Sequence, residues 1–244
     1  MLELKNLYSL YILRMKLMLK SALLVIPTIG IFVFLGVMYS LMPSQITGNF
    51  LITSLFLFVV CTVMSMSIAS KENDTQEELL QLHSNSYINF YISREFVYLT
   101  VCIVYTLILV LVPVISSRGV ERYFTRPLKP EDPVRAAILI FASGLCGFSV
   151  GDFFHKRIFK NRKTALILLI FTVTLAVTKH SIIHEIPQMS FLNFLLPPVM
   201  DGFKMVGNTD YFDQSGTIAI LIHTLIFVLA AMIIKIRLHR FIKY

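Results

Sequence analysis

Long apolar segments alternate with short charged ones along the whole chain. Residues 21–70 and 96–117 contain no Lys, Arg, Asp, Glu or His. A helix of about twenty apolar residues is long enough to cross a bilayer. The pattern predicts six membrane-spanning helices, at about 21–41, 50–69, 96–115, 136–154, 164–183 and 217–234.

A charged segment, residues 71–95, separates the second and third predicted spans. Thr75 is an N-cap residue with Glu78 three positions later, which is the capping-box pattern of a helix start. The same pattern is repeated one position earlier, by Asp74 and Glu77. The apolar side of this short helix is formed by Leu79, Leu80 and Leu82. Because a charge at the bilayer centre costs about 2.5–3.5 kcal/mol on insertion scales, we expect the segment to lie in water.

Two further segments are predicted to lie at the membrane surface. Residues 1–20 contain scattered basic residues and are predicted to form an interfacial amphipathic helix; a longer first span is the alternative. Its lipid-facing residues would be Leu4, Leu7, Tyr8, Tyr11 and Met15 or Met18. Residues 186–200 are uncharged but short and interrupted by prolines, so we expect a re-entrant or outer helical segment between spans 5 and 6.

The composition agrees with an integral membrane protein. Hydrophobic residues make up 56% of the chain, charged residues make up 15%, and the mean hydropathy is +0.75. The net charge of +8 is spread over segments that flank apolar runs, which favours the membrane surface over nucleic acid as a partner. We expect a single all-α transmembrane domain over 1–244, since little chain remains outside the spans.

The distribution of basic residues predicts the orientation. Six spans place both termini on one side, and 15 of the 22 Lys and Arg residues fall on that side. The positive-inside rule therefore predicts cytoplasmic termini in a multi-pass protein of the cell membrane. The basic segment from Arg118 to Arg135 would then lie outside, where it could hold lipid headgroups or an acidic substrate; a solvated loop is the alternative.

Residues suited to catalysis are sparse. The phosphate-binding pattern G-x-x-x-x-G-K-[ST] does not occur, so nucleotide energy would have to come from another subunit. His180 and His184 have the spacing of two ligands on one helix face, but the sequence places no third ligand nearby, so they are weak metal candidates. Asp152, at the end of span 4, is expected to pair with Lys156 or Arg157 at the interface, with proton coupling as the alternative.

Small residues in the fourth span predict close helix packing. These are Gly144, Gly147 and Gly151, of which the last two form a G-x-x-x-G pair. Such residues let helix backbones approach closely in lipid. A hinge is the alternative interpretation.

The order of these parts resembles the ABC-2 type permeases, the membrane subunits of type V ABC exporters. That family often has the pattern E-x-x-G-T-x-E-x-L-L-x-x-P after its second span. The matching residues here are Glu72, Thr75, Glu77, Leu79 and Leu80. Asp74 stands at the usual glycine, and His83 stands at the usual proline. The segment from Phe194 to Pro198 is similar to the family's apolar-Pro-Pro segment.

The resemblance implies a transport subunit without enzymatic activity or a cofactor of its own. Its cytoplasmic coupling helix would dock in a groove of an ABC ATP-binding subunit, which carries the ATP and Mg. The docking candidates are Thr75, Glu77, Glu78, Leu79, Leu80, Leu82 and His83. A second permease copy or a similar chain would complete the pathway, with membrane lipid around it and no nucleic acid involved. The cargo would be an amphipathic or hydrophobic molecule moved outward, such as a small peptide, toxin, drug or lipid.

Two other function classes remain open at this point. One is an intramembrane metal-dependent hydrolase that uses His180, His184 and Glu185. The other is a channel or immunity membrane protein that works without an ATPase.

Overall fold

The computed structural model describes residues 2–71, 80, 87–120, 123–154, 158–159, 161–205 and 210–242. Within them the secondary structure is helical. The α-helices are α1 (Leu2–Lys20), α2 (Val25–Met38), α3 (Ile46–Lys71), α4 (Tyr87–Ser116), α5 (Glu131–Phe153), α6 (Arg162–Glu185), α7 (Leu192–Leu195) and α8 (Gln214–Ile242). Two 3-10 helices, Pro187–Phe191 and Pro198–Met205, flank α7. The predicted all-α class is therefore confirmed for this part of the chain.

Five helices are long and apolar enough to cross a membrane: α3, α4, α5, α6 and α8. The first predicted span, 21–41, corresponds to α2, which has only 14 residues. Helix α2 meets α1 at a bend of 68°, and the described helices reach six candidate spans only if this bent pair counts as one. The helices are compatible with a membrane location.

The centre of the bundle is the contact between α3 and α5. The glycines of α5 that face this contact are Gly144, Gly147 and Gly151. A Cβ atom added at Gly147 would overlap the carbonyl oxygen of Phe58 and lie 2.9 Å from the Cβ of Cys61. One added at Gly151 would overlap the carbonyl oxygen of Thr62. The two backbones are thus packed at a distance that only glycine allows at these positions.

Contacts along the helices fix their relative directions. Residues further along α3 meet residues further along α5, so these two helices run parallel. Helix α4 runs antiparallel to α5, because Tyr98 contacts Asp152 whereas Cys102 contacts Phe141. Helices α3, α5 and α8 therefore end, and α4 begins, at the same end of the bundle. We call this the charged end and the opposite one the loop end.

Helix α1 packs on α4 with a different face from the one predicted. Met18 was a candidate for lipid contact, but it is buried together with Leu10 and Arg14, which lie at successive four-residue intervals on the same face. Tyr11 shares a hydrogen bond of 3.1 Å with Thr100 of α4. Of the two predicted alternatives, Met18 is excluded by its burial, whereas Met15 is only partly buried. Charge spacing alone gave no reason to place Arg14 against protein. Tyr8, as predicted, is exposed.

Two arginines of the basic segment at the loop end have acidic partners within the protein. Arg126 binds both carboxylate oxygens of Asp132, at 2.7 and 3.0 Å, and its Nε donates to the carbonyl oxygen of Asp210. Arg135 pairs with Glu131 at 2.5 Å. These two guanidinium groups organise the loop structure. The ligand site and the solvated loop both stay predictions.

The carboxylate of Asp210 covers the first turn of α3. It accepts hydrogen bonds from the backbone N–H groups of Ile46 and Thr47, at 3.1 and 2.8 Å, and from the hydroxyl groups of Thr47 and Thr125. An anionic group is favoured at a helix N-terminus, where backbone N–H groups lack partners. Partial burial would raise the pKa of this carboxyl, but the hydrogen bonds from Thr47, Thr125 and Ile46 lower the pKa below its ordinary value.

Candidate functional site

Charged side chains from three helices meet inside the charged end of the bundle. They are Arg94 and Glu95 of α4, Asp152 of α5 and Lys235 of α8, and we call these four the ionic cluster. Arg94 and Asp152 are each 1% exposed, and Lys235 is 2% exposed. The side chain of Glu95 is 24% exposed and forms the edge of the cluster.

Lys235 connects the three helices. Its Nζ lies 2.5 Å from Oε1 of Glu95 and also donates to Oδ2 of Asp152. Nη2 of Arg94 lies 3.6 Å from the same Asp152 oxygen. The other carboxylate oxygen of Asp152 accepts a hydrogen bond of 3.1 Å from the hydroxyl of Tyr98. Asp152 of α5 is therefore contacted by polar or charged side chains of both α4 and α8.

Aromatic rings enclose the cations of the cluster. The Tyr91 ring centroid lies 5.5 Å from the guanidinium of Arg94 and 5.7 Å from Nζ of Lys235. The ring of Tyr98 stacks on Phe148 of α5, with centroids 4.7 Å apart. A cation within about 6 Å of an aromatic face is attracted by the ring quadrupole. These rings replace part of the hydration that the cations lose on burial.

The cluster is better suited to specify an arrangement than to add stability. Burying charges costs several kcal/mol per ion, which close pairing only roughly offsets. Removing one partner of such a pair typically costs about 3–5 kcal/mol, because an uncompensated charge stays buried. The relative positions of α4, α5 and α8 at this end are therefore tied to one another.

Leu80 lies directly beside the ionic cluster. It is the only described residue between 72 and 86, and it is buried with Leu10, Phe90 and Tyr91. Ile236 of α8, next to Lys235, packs against the same group. Tyr91 thus belongs to the same apolar group as Leu80 and also lies against the cations of the cluster. A displacement of the chain at Leu80 would reach the ionic cluster through this apolar group.

A cavity of about 220 Å³ adjoins Leu80. Its lining combines apolar side chains of α1, α3 and α4 with the buried Arg14 and Arg94. The guanidinium of Arg14 lies 4.4 Å from the ring centroid of Phe90. The cavity leaves unfilled volume next to the cluster, between α1 and the bundle.

The structure describes few of the predicted docking residues. Of that set, Leu80 is described and is packed inside the protein rather than exposed. The others lie outside the described residues: Thr75, Glu77, Glu78, Leu79, Leu82 and His83. They remain predictions. The predicted partners of Asp152, Lys156 and Arg157, also lie outside the described residues, and the described partners of Asp152 include Lys235, Arg94 and Tyr98.

Sequence reasoning missed the ionic cluster except for Asp152. Arg94 and Glu95 were assigned to the aqueous segment 71–95, but the structure includes them in the transmembrane-length helix α4. Lys235 was treated only as a basic residue of the C-terminal tail. One sequence feature could have pointed to the cluster. These three charged residues, like Asp152, lie within one or two helical turns of an apolar run.

A second buried cation lies toward the loop end. Lys179 of α6 is 0% exposed and donates a hydrogen bond of 3.1 Å to the carbonyl oxygen of Pro197. Its Nζ also lies 3.4 Å from the carboxylate of Asp201, and His223 of α8 lies 3.6 Å from the same carboxylate. This group fastens the segment 187–205 between α6 and α8. It explains how a helix with little buried surface stays attached to the bundle.

The weak metal candidates are directed away from this group. His180 is exposed, and the side chain of His184 is 80% exposed and lies 3.8 Å from Glu185. Among the described residues, no group of three or more His, Cys, Asp or Glu side chains could hold a metal ion. The three cysteines, Cys61, Cys102 and Cys146, are buried as free thiols.

No protein-family model, no curated protein and no solved structure matches this chain.

Proposed function

We propose that this chain is the membrane-spanning permease subunit of an ATP-driven ABC exporter. It would couple ATP hydrolysis by a separate ATP-binding subunit to the outward movement of an amphipathic or hydrophobic cargo. The observation that supports this most strongly is the ionic cluster beside Leu80. A transport subunit needs a place where force on a cytoplasmic segment reaches several spans together.

The contacts of Leu80 suggest how that force would be transmitted. Leu80 packs with Leu10 of α1 and with Phe90 and Tyr91 at the start of α4. Tyr91 lies over Arg94 and Lys235, which bind Asp152. Movement of the predicted coupling helix would therefore shift α1 and α4 first, and α5 and α8 through the cluster. Leu80 would anchor the coupling helix, while the charged residues before it would face the ATP-binding subunit.

The proposed orientation places the charged end in the cytoplasm of the cell. Lysine and arginine residues are concentrated in the segments at that end, as the positive-inside rule requires. Two copies, or this chain with a similar one, would form the pathway. The exposed apolar faces of α6 and α8 provide ample surface for such association.

Purification of the tagged chain from its native membranes in mild detergent tests the proposal. We expect a Mg-dependent ATPase to purify with it in a fixed ratio. The double variant Glu77→Lys, Glu78→Lys should lose most of this ATPase, because the docking surface would repel an acceptor that suits acidic residues. Glu185→Lys is the matched control, since Glu185 is exposed and lies at the loop end.

The same purification can also refute the proposal. Undiminished association and ATPase activity after the double charge reversal would contradict the proposal, as would the absence of any associated ATPase from the native preparation.

A further inference from the structure

An apolar groove runs along the surface between α2 and α3. Its volume is about 650 Å³, within the usual range for ligand sites. Representative lining residues are Ile26, Gly30, Phe56, Val60, Met64 and Arg162. All of the α2 and α3 residues along it are apolar or small, and Arg162 is its only charged lining residue among those described.

The groove has the length of one lipid leaflet. On α3 its lining extends from Phe56 to Ser67, which corresponds to about 16 Å at 1.5 Å per residue. Half of a hydrocarbon core about 30 Å thick is about 15 Å. The groove therefore matches a single acyl chain that enters from one side of the membrane and ends near its middle.

Arg162 lies at the polar end of this groove. It is the first residue of α6 and is exposed, and the described part of the chain provides it with no hydrogen-bond or ion-pair partner. The opposite end is formed by Phe56, which stacks on Phe34 with centroids 3.9 Å apart. A helix N-terminus adds positive potential beside Arg162. The site thus has a cationic mouth and an apolar body.

We propose that this groove binds an anionic glycerophospholipid, with one acyl chain between α2 and α3 and the headgroup phosphate at Arg162. The lipid fits better than a second copy of this chain. A two-fold contact through the same surface would bring the Arg162 residues of both copies to the same depth, and like charges would repel. The inference goes beyond the proposed export function and depends only on the membrane location.

Two glycines of α2 offer a matched pair of steric variants. A Cβ atom added at either Gly30 or Gly36 meets no atom within 4 Å. Gly30 lines the groove and Gly36 does not. Gly30→Leu should therefore fill the groove without disturbing the fold, and Gly36→Leu controls for the added side chain. For charge, Arg162→Gln is compared with Lys163→Gln, because Lys163 is an exposed neighbour that does not line the groove.

Native mass spectrometry of the full chain in detergent, titrated with dioleoyl phosphatidylglycerol or dioleoyl phosphatidylcholine, tests the proposal. We expect the native chain to retain one phosphatidylglycerol at least tenfold better than phosphatidylcholine. Arg162→Gln should abolish this preference, and Gly30→Leu should lower the retention of both lipids at least tenfold. Lys163→Gln and Gly36→Leu should behave like the native chain, and inorganic phosphate should not compete.

Several results would overturn the proposal. These are a retained preference in Arg162→Gln, an equal loss in Lys163→Gln, and competition by inorganic phosphate at lipid concentrations. A change of oligomeric state in Gly30→Leu, with lipid retention unchanged, would assign the groove to a second copy of the chain instead.

Discussion

Replacement of Lys235 by methionine tests the ionic cluster directly. Methionine keeps the long unbranched shape of the side chain but removes the charge that lies between Glu95 and Asp152. Asp152 is 1% exposed, so water cannot take the place of the ammonium group. Breaking a buried ion pair from one side costs about 3–5 kcal/mol.

The expected loss for Lys235→Met is at the lower end of that range, about 3 kcal/mol. Arg94 remains 3.6 Å from Asp152 and keeps part of the charge compensated. For a chain of this size, 1 kcal/mol changes the melting temperature by about 2–4 °C. We therefore expect Lys235→Met to melt about 6–12 °C below the native chain.

The buried thiols provide the measurement. Cys61, Cys102 and Cys146 are each 0% exposed, so a thiol-reactive fluorophore should label them only as the detergent-solubilised chain unfolds. Lys163→Met is the control, because it removes an exposed lysine with the same substitution.

A double variant separates ion pairing from other effects of the substitution. If the pair is the cause, Asp152→Asn combined with Lys235→Met should lose less than the sum of the two single losses, by about 0.5–3 kcal/mol. Strict additivity, or a melting temperature of Lys235→Met equal to that of the control, would refute the reasoning.

Two further predictions concern packing and pH. Gly147→Ala should destabilise the chain by about 1–3 kcal/mol, since its Cβ would overlap the Phe58 carbonyl oxygen. Gly36→Ala is the control and should leave stability unchanged or raise it by up to about 1 kcal/mol through helix propensity. Equal melting temperatures of the two variants would contradict this prediction. The pKa of Asp210 is lowered in the folded chain, so its contribution is complete above the unfolded-state pKa, near 4, and is lost as the pH falls through the lower folded value. Asp210→Asn should lower the free energy of unfolding by about 1–3 kcal/mol at pH 7. It should also make the melting temperature fall less steeply between pH 5 and 3 than it does in the native chain. An unchanged dependence of the melting temperature on acid pH would count against the described hydrogen bonds.

The sequence predicted best those features that depend on residues close together in the chain. An uninterrupted apolar run is enough to predict a transmembrane-length helix, and this succeeded for α3, α4, α5, α6 and α8. The spacing of Gly147 and Gly151 indicated a surface for close helix contact, and α3 lies against both glycines. Neither inference requires knowledge of which distant segments meet.

The ionic cluster depends on contacts that the sequence does not display. Lys235 lies 83 positions from Asp152 and 140 positions from Glu95. The insertion cost used to place residues 71–95 in water applies to charges without partners. Arg94 and Glu95 have partners on α5 and α8, so they can be part of α4. Predicting this would have required the relative order of three helices in space.

The shortness of α2 has a consequence for the surrounding lipid. Its 14 residues extend about 21 Å, roughly 9 Å less than a typical hydrocarbon thickness. If α2 crossed the bilayer without α1, the two leaflets would have to be drawn together beside it, at a cost of a fraction of a kcal/mol for each ångström of mismatch. Membranes built from shorter acyl chains would relieve that deformation, so bilayer thickness would then favour or oppose the native packing of α2.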